Sequence, residues 1–296
     1  MNYRHQFHAG NFADVMKHVL LLQLARGMQR KEKGFFYLDT HAGRGRYDLA
    51  AAGLGDSLAR KAEHPDGIGR LLGADGAELL APIAEYVRVV RAFDGQPVAG
   101  GEAGEPALEL RAYPGSPWIF EAAAREQDRL ALCEKHPEEA AFLTEEFSHK
   151  RRVTVHAMDG YTAVRAMLPP LEKRALVLID PPFEAQNEFG QVVEALGEGL
   201  RRMPAATFAV WYPLTERARV DEFLFKLEAL RPPPCFAAEL TIAGEDAPVK
   251  LKGCGLLVIN PPWQIDREIA PVLEVLAKRL AVAPGGAGKL RWVVAE

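Results

Sequence analysis

Asp180-Pro181-Pro182-Phe183 is the segment of this sequence best suited to chemistry. It follows Leu176-Val177-Leu178-Ile179, an apolar run of buried-strand type. Two prolines fix φ and remove backbone donors, so the turn after the carboxylate is stiff and its carbonyls point in set directions. A side-chain oxygen of Asp180 and the carbonyl of Pro181 can hold both hydrogens of a planar amino group. The nitrogen lone pair is then aimed at an electrophile. In-line displacement of a methyl group from a sulfonium is the reaction such positioning serves. A base amine is barely basic, so Asp180 need not remove a proton before attack. It can stabilise positive charge developing on nitrogen and accept the proton late. Phe183 offers a flat face to a base, worth about 1–3 kcal/mol in known stacking platforms. The bland alternative is a proline-rich turn after a core strand.

Three more acids fall at strand ends. Asp39, Glu134 and Asp159 each terminate a predicted strand or lie just past one. In open α/β sheets ligands bind beyond the carboxyl ends of the strands. The turn Asp39-Thr40-His41-Ala42-Gly43-Arg44-Gly45 has glycines that let the backbone approach a ligand closely. It lacks the full dinucleotide fingerprint, because position 48 is Asp48. Glu134 suits hydrogen bonds from a ribose diol, or is a surface acid. Asp159-Gly160 suits an adenine amine, or is an Asx-type turn. Asn260-Pro261-Pro262-Trp263 has the same form as the Asp180 segment. Chain order separates the two. Asp180 ends the fourth strand counted from Phe35, beside the first, where the sheet order reverses. Asn260 ends the last strand, which is expected to run antiparallel and to exit at the opposite edge.

The elements that position these residues are legible from periodicity. Asn11 to Met28 reads as a helix capped by Asn11, with Asp14 in its first turn and Val15, Val19 and Leu22 on an apolar face. Strands are expected near Phe35–Asp39, Arg129–Cys133, Val153–His156, Ala175–Ile179, Thr207–Tyr212, Ala237–Ile242 and Gly255–Ile259. Helices are expected at 138–147, 189–203 and 217–230. This alternation predicts a mostly parallel, doubly wound sheet of Rossmann-like type. Residues 47–110 break the pattern with a Gly- and Ala-rich stretch and one convincing helix, 81–93. They read as a small helical insertion into a domain made of 1–46 and 111–296.

The chain has 296 residues and a net charge of −4, which argues against strong non-specific nucleic-acid binding but does not exclude a local basic face. Arg4, Lys17, Arg44, Arg46 and Lys150-Arg151-Arg152 are candidates for that face. No run is long enough to span a membrane, and the start of the chain lacks the apolar core of a signal peptide. The three cysteines, Cys133, Cys235 and Cys254, are far apart and show no metal-ligand spacing. A reduced, cytoplasmic protein without metal is expected.

The motifs resemble one family. They are Tyr3-Arg4-His5, His8-Ala9-Gly10-Asn11 through Asp14 to Lys17-His18, and Leu38-Asp39-Thr40-His41-Ala42-Gly43. Tyr113-Pro114-Gly115-Ser116-Pro117, Glu134-Lys135-His136-Pro137, Asp159-Gly160, Asp180-Pro181-Pro182, Trp211-Tyr212-Pro213 and Asn260-Pro261-Pro262-Trp263 continue the match. Together they resemble bacterial 23S rRNA adenine-N6 methyltransferases of the RlmJ type, over nearly the whole chain and most weakly across 47–110. The resemblance implies a class I methyltransferase with a seven-stranded sheet, using S-adenosylmethionine (SAM). SAM would contact Lys17, His18, His41, Ser116, Glu134, Asp159 and Gly160. Asp180 would be catalytic, with Pro181 and Phe183 at the base, and Tyr3 and His5 over the mouth of the site. A monomer acting on 23S rRNA is expected. The family commonly has Tyr where this chain has Phe183, so a hydroxyl is lost and stacking is kept. Two alternatives stay open: methylation of another planar amine (DNA adenine, cytosine N4 or protein glutamine), and an idle RNA-binding assembly protein.

Overall fold

Helix α1 (Phe12–Gln29) begins at Asn11, whose side-chain oxygen accepts from the backbone N–H groups of Ala13 and Asp14. That supplies an acceptor the first helical turn otherwise lacks. The computed structural model describes residues 7–49, 62–73, 79–95 and 110–295. Within α1 only Arg26 and Gln29 escape burial, so the expectation of a single apolar face is corrected. Neighbouring helices cover the flanks that a surface helix leaves to water.

The chain continues through β1 (Phe36–Asp39), β2 (Arg46–Asp48), the short α2 (Gly69–Leu72), α3 (Ala81–Asp94), β3 (Ala112–Pro114) and α4 (Ser116–Ala123). Then β4 (Arg129–Glu134), α5 (Pro137–Phe147), β5 (Val153–Ala157), α6 (Gly160–Met167), β6 (Ala175–Ile179) and α7 (Glu188–Arg202) alternate. The last part is β7 (Thr207–Pro213), α8 (Arg217–Ala229), β8 (Cys235–Thr241), β9 (Gly253–Ile259), α9 (Ile265–Leu280) and β10 (Ala287–Val294). Helices α3, α4 and α9 all pack on α1.

The main sheet has the order β10-β8-β9-β7-β6-β1-β4-β5. Strand β1 pairs in parallel with β4 and β6, β4 with β5, and β6 with β7. Strand β9 is antiparallel to both β7 and β8. This is the doubly wound, mostly parallel fold of class I methyltransferases, with eight strands among the described residues and not the expected seven. Strand β10 is the addition. It pairs antiparallel with β8 at the sheet edge, and its side chains are half-buried or exposed. Edge strands show weak alternation, and here Gly285-Gly286 masks the start, so β9 is not the last strand.

Side-chain alternation divides the core. Leu176 and Leu178 of β6 face the cluster around α1, while Val177 and Ile179 face the cluster under α6, α7 and α8. Both faces of the strand are therefore covered, which is why it reads as a continuous apolar run. The ribbon β2–β3 sets Tyr47 opposite Tyr113 and draws together the two ends of the stretch 47–110.

Among the described residues no helix is long and apolar enough to cross a membrane. Cys133, Cys235 and Cys254 are buried free thiols.

Candidate active site

Strands β6, β1, β4 and β5 are adjacent and parallel, so Asp180, Asp39, Glu134 and Asp159 form a row along one edge of the sheet. Asp180 sits at the head of the row, and Lys17 reaches it from α1. The Lys17 Nζ donates to Asp180 Oδ2 at 2.6 Å and to Asp14 Oδ1 at 2.8 Å. The second oxygen of Asp14 accepts the backbone N–H of Gly10 at 3.0 Å. Side-chain exposure is 3% for Asp14, 6% for Lys17 and 16% for Asp180, so the group opens to solvent at the catalytic candidate. Burial pushes the Lys17 pKa down, but the two carboxylates outweigh it and hold the ammonium well above its ordinary value. Lys17 is thus a fixed cation, and the three charges sum to −1. Among the described residues Lys17 is the hydrogen-bond donor to Asp180, at Oδ2, leaving Oδ1 as an open acceptor.

Asp39 is fully buried. Its Oδ2 accepts from Ser116 Oγ at 2.7 Å and from Tyr37 Oη at 3.0 Å. Burial raises its pKa from 3.8 to about 6; the two hydroxyls work against this and the charge of Asp180 with it. Ser116 therefore anchors the start of α4 to β1. The turn after β1 then crosses to β4. Ala42 N donates to Cys133 O, and Gly43 N donates to Glu134 Oε2 at 2.9 Å. Gly43 has φ +60°, and a Cβ there would lie 2.3 Å from the Tyr47 hydroxyl, so a side chain is strained and the hydroxyl would have to move. Glu134 also accepts from His136 N at 2.7 Å, so its carboxylate is aimed by two backbone donors.

His41 follows β1, with Thr40 Oγ1 2.8 Å from its Nδ1 and the Tyr161 ring edge-on at 5.1 Å. Burial lowers its pKa below 6.5 against the pull of Asp180, Glu188 and Asp159, so the ring is neutral at pH 7. Asp159 caps α6 through Thr162 N at 3.0 Å and pairs with Lys135 at 3.1 Å. Gly160 has a packing reason for being glycine: an added Cβ would lie 2.0 Å from Thr40 O.

His18 lies one position from Lys17 and is buried, with its Nδ1 2.8 Å from the Tyr113 hydroxyl. Phe183 has φ +51°, and its ring leans on Phe189 at 4.8 Å and Trp211 at 5.9 Å. Tyr3 and His5, expected over the site, lie outside the described residues, as does Arg4 of the expected basic face. Most of the remaining face is neutralised. Arg44 pairs with Glu139, Arg46 with Glu146, and Lys150 and Arg152 share Glu121. Asn260 is at the opposite edge, where its amide donates to carbonyls of Pro204 and Ala206 ahead of β7.

Asp14 stands in the sequence as a first-turn acid and as part of the motif that runs to Lys17-His18, without a site role of its own. Its i,i+3 spacing to Lys17 was the available signal for their pairing. Glu63 carried no signal at all. Its carboxylate binds Asn11 Nδ2 at 2.9 Å and His8 Nδ1 at 3.0 Å, while its N–H donates to Phe7 O. Glu63 thereby ties its own stretch of chain to Phe7, His8 and Asn11, the segment ahead of α1.

A family model described as "Ribosomal RNA large subunit methyltransferase D, RlmJ" matches residues 32–294. The chain belongs to the RlmJ family. Two RlmJ relatives, each named "Ribosomal RNA large subunit methyltransferase J", align over 100% of both chains. One, from Haemophilus influenzae, is 38% identical; the other, from Escherichia coli, is 36% identical. A crystal structure of a Legionella pneumophila protein, LPL1258, superposes with a TM-score of 0.81 at 33% identity, covering 98% of this chain and 99% of that one. RlmJ membership makes the chain a methyltransferase by family, and the row of strand-end residues is where its site is sought.

Proposed function

We propose that this chain transfers a methyl group from SAM to the exocyclic N6 of an adenosine in 23S rRNA. One observation carries the reading: Asp180 is anchored through Oδ2 to a buried lysine and keeps Oδ1 open beside a stiff Pro-Pro turn. Full-length similarity to proteins named as large-subunit rRNA methyltransferases supports the substrate.

The residues present fit the cofactor. Gly43 forms a backbone cradle that a Cβ would fill, and Glu134 is a carboxylate aimed by two backbone donors, suited to a ribose diol. His41 is a neutral ring nearby, and Asp159 can accept from an adenine amine. When bound, SAM supplies an electrophilic methyl group on a sulfonium. Asp180 Oδ1 and the Pro181 carbonyl each accept one hydrogen of the target amine and fix its lone pair. The net negative charge of Asp14, Lys17 and Asp180 stabilises the cation growing on nitrogen. Asp180 takes the proton late. Phe183 supports the base by stacking. A target in paired RNA must be flipped out to reach the turn. The reading places the enzyme in the cytoplasm as a monomer, with residues 47–110 inserted between 1–46 and 111–296.

Incubation with methyl-labelled SAM and unmodified 23S rRNA, followed by digestion to nucleosides, tests this. Label in N6-methyladenosine is expected, and Asp180→Ala should abolish it while SAM still binds. No transfer beside a competent control enzyme refutes the activity. Label on another nucleoside refutes the substrate, and full activity in Asp180→Ala refutes the catalytic role.

A further inference from the structure

Tyr161 and Glu188 meet between two turns at the carboxyl edge of the sheet. Tyr161 is the second residue of α6, just past Asp159-Gly160. Glu188 is the first residue of α7, where the segment that leaves Asp180 ends. The Tyr161 Oη donates to Glu188 Oε1 at 2.5 Å, across 27 positions of sequence. We propose that Glu188, held by Tyr161, is a positioning residue that fixes the far end of segment 180–187 and so keeps Phe183 and the Pro-Pro turn in place for the target base. This deepens the methyltransferase reading and rests on it.

One side of the bond is seated on the sheet. Gly160 packs so closely on the Thr40 carbonyl that an added Cβ would lie 2.0 Å from its oxygen, and Asp159 Oδ1 accepts from Thr162 N at 3.0 Å. The Tyr161 ring stands edge-on to His41 at 5.1 Å. The start of α6 is thus braced on the turn after β1 before its phenol reaches Glu188. The other side is exposed chain. Glu184, Ala185, Gln186 and Asn187 all face solvent, whereas Glu188 is 6% exposed. A carboxylate at that depth needs a donor in place of its lost water. Among the described residues Tyr161 is the side chain that donates to it. A phenol donating to a carboxylate makes a short, charge-assisted bond, about twice as strong as a neutral one. Burial and the neighbouring Glu188 both raise the Tyr161 pKa, so the phenol keeps the proton it donates. Arg219 also reaches the segment, at Gln186 O, but that contact is exposed and water can replace it.

Position passes to the base platform through the next residue. Phe189 follows Glu188, and Phe183 leans on it at 4.8 Å. Phe183 has φ +51°, a conformation that a residue with a Cβ keeps only when its surroundings impose it. Released at Glu188, the first turn of α7 frays, Phe189 gives way and Phe183 relaxes toward negative φ. The rest of α7 stays, because Val192, Ala195, Leu196 and Gly199 are buried. The loss therefore falls on the segment beside Asp180, where misplacement costs rate and not cofactor affinity.

Tyr161→Phe removes the hydroxyl and keeps the ring against His41. Glu188→Ala removes the acceptor, and Glu188→Gln keeps a carbonyl oxygen to which the phenol can donate. In the full chain, hydrogen–deuterium exchange of peptides covering 181–190 is measured beside kcat for methyl transfer and the SAM Kd. Tyr161→Phe and Glu188→Ala should each speed exchange there and lower kcat about tenfold or more, with the SAM Kd within about twofold of the parent. The double variant should lose no more than either single one, since both break the same bond. Glu188→Gln should recover most of the loss, and with Tyr161→Phe it carries the test if Glu188→Ala folds poorly. Unchanged exchange or unchanged kcat in Tyr161→Phe overturns the proposal. So does an additive loss in the double variant, or a SAM Kd that rises as much as kcat falls. Absence of transfer by the parent protein sinks the methyltransferase reading instead, and the exchange result still decides whether Tyr161 fixes the segment.

Discussion

Replacing Asp39 by asparagine removes one buried charge and almost no volume. The pKa of Asp39 rises from 3.8 to about 6 on folding, chiefly through burial. Between those values the folded state holds more proton than the unfolded state, so stability falls as pH rises through the window. The contribution is fully present below about pH 3.8 and is lost above about pH 6. A rise of about 2 pH units at about 1.36 kcal/mol each amounts to roughly 3 kcal/mol. The amide of the Asp39→Asn variant cannot titrate. Ser116 and Tyr37 both donate to the same oxygen, Oδ2, so the asparagine carbonyl can take that place and keep both bonds. Its amide then faces His41 N, 3.4 Å from the other oxygen, at a pH-independent cost of about 1 kcal/mol. Urea unfolding followed by tryptophan fluorescence from pH 4 to 8 measures both proteins. The stability of Asp39→Asn relative to the parent should climb by about 2.4 kcal/mol between pH 4 and pH 7, the rest of the change lying below pH 4. A flat difference, or one falling with pH, refutes the assignment of a buried, proton-retaining carboxyl.

Lys17→Met should cost about 3–5 kcal/mol in urea unfolding, because it leaves the Asp14 and Asp180 carboxylates facing each other without their cation. Adding Asp14→Asn to that variant should recover part of the loss, and strict additivity would show that the three residues are not coupled. Gly160→Ala should destabilise by about 1–3 kcal/mol or more, since its Cβ meets the Thr40 carbonyl; a Tm within one degree of the parent contradicts the contact. Phe183→Ala should weaken RNA turnover by the equivalent of about 1–3 kcal/mol with SAM affinity unchanged, whereas Phe183→Leu should recover little if stacking is the cause. Equal turnover in Phe183→Ala and the parent removes the base-stacking role.

How far the site was readable depended on the range of each signal. The cap at Asn11, the apolar strand before Asp180 and the stiffness of Pro181-Pro182 are local, and each took the form its residues dictated. The Gly43 turn was readable as a close approach of backbone, and the structure adds the Tyr47 hydroxyl that a Cβ would press on. Phe183 was readable as an aromatic beside the turn, but its lean on Phe189 and Trp211 was not. Lys17 was named for the cofactor by resemblance; its ammonium is held between two carboxylates. The basic residues near 44–46 and 150–152 were visible as charge, yet the acids that neutralise Arg44, Arg46, Lys150 and Arg152 lie on other elements.

Sequence alone determined the kind of sheet and the stiffness of the turn at Asp180. Periodicity sets which faces are apolar, and proline sets a turn wherever it lies. Tertiary structure decided which groups meet. Lys17 and Asp180 are 163 positions apart, and only the packing of α1 against the sheet closes that distance. The same holds for the two prolyl turns, which are alike in sequence. Asp180 leaves a parallel strand next to β1, while Asn260 leaves an antiparallel one and spends its amide on carbonyls at the far edge. Strand direction, a property of the whole sheet, makes one a candidate for catalysis and the other a brace.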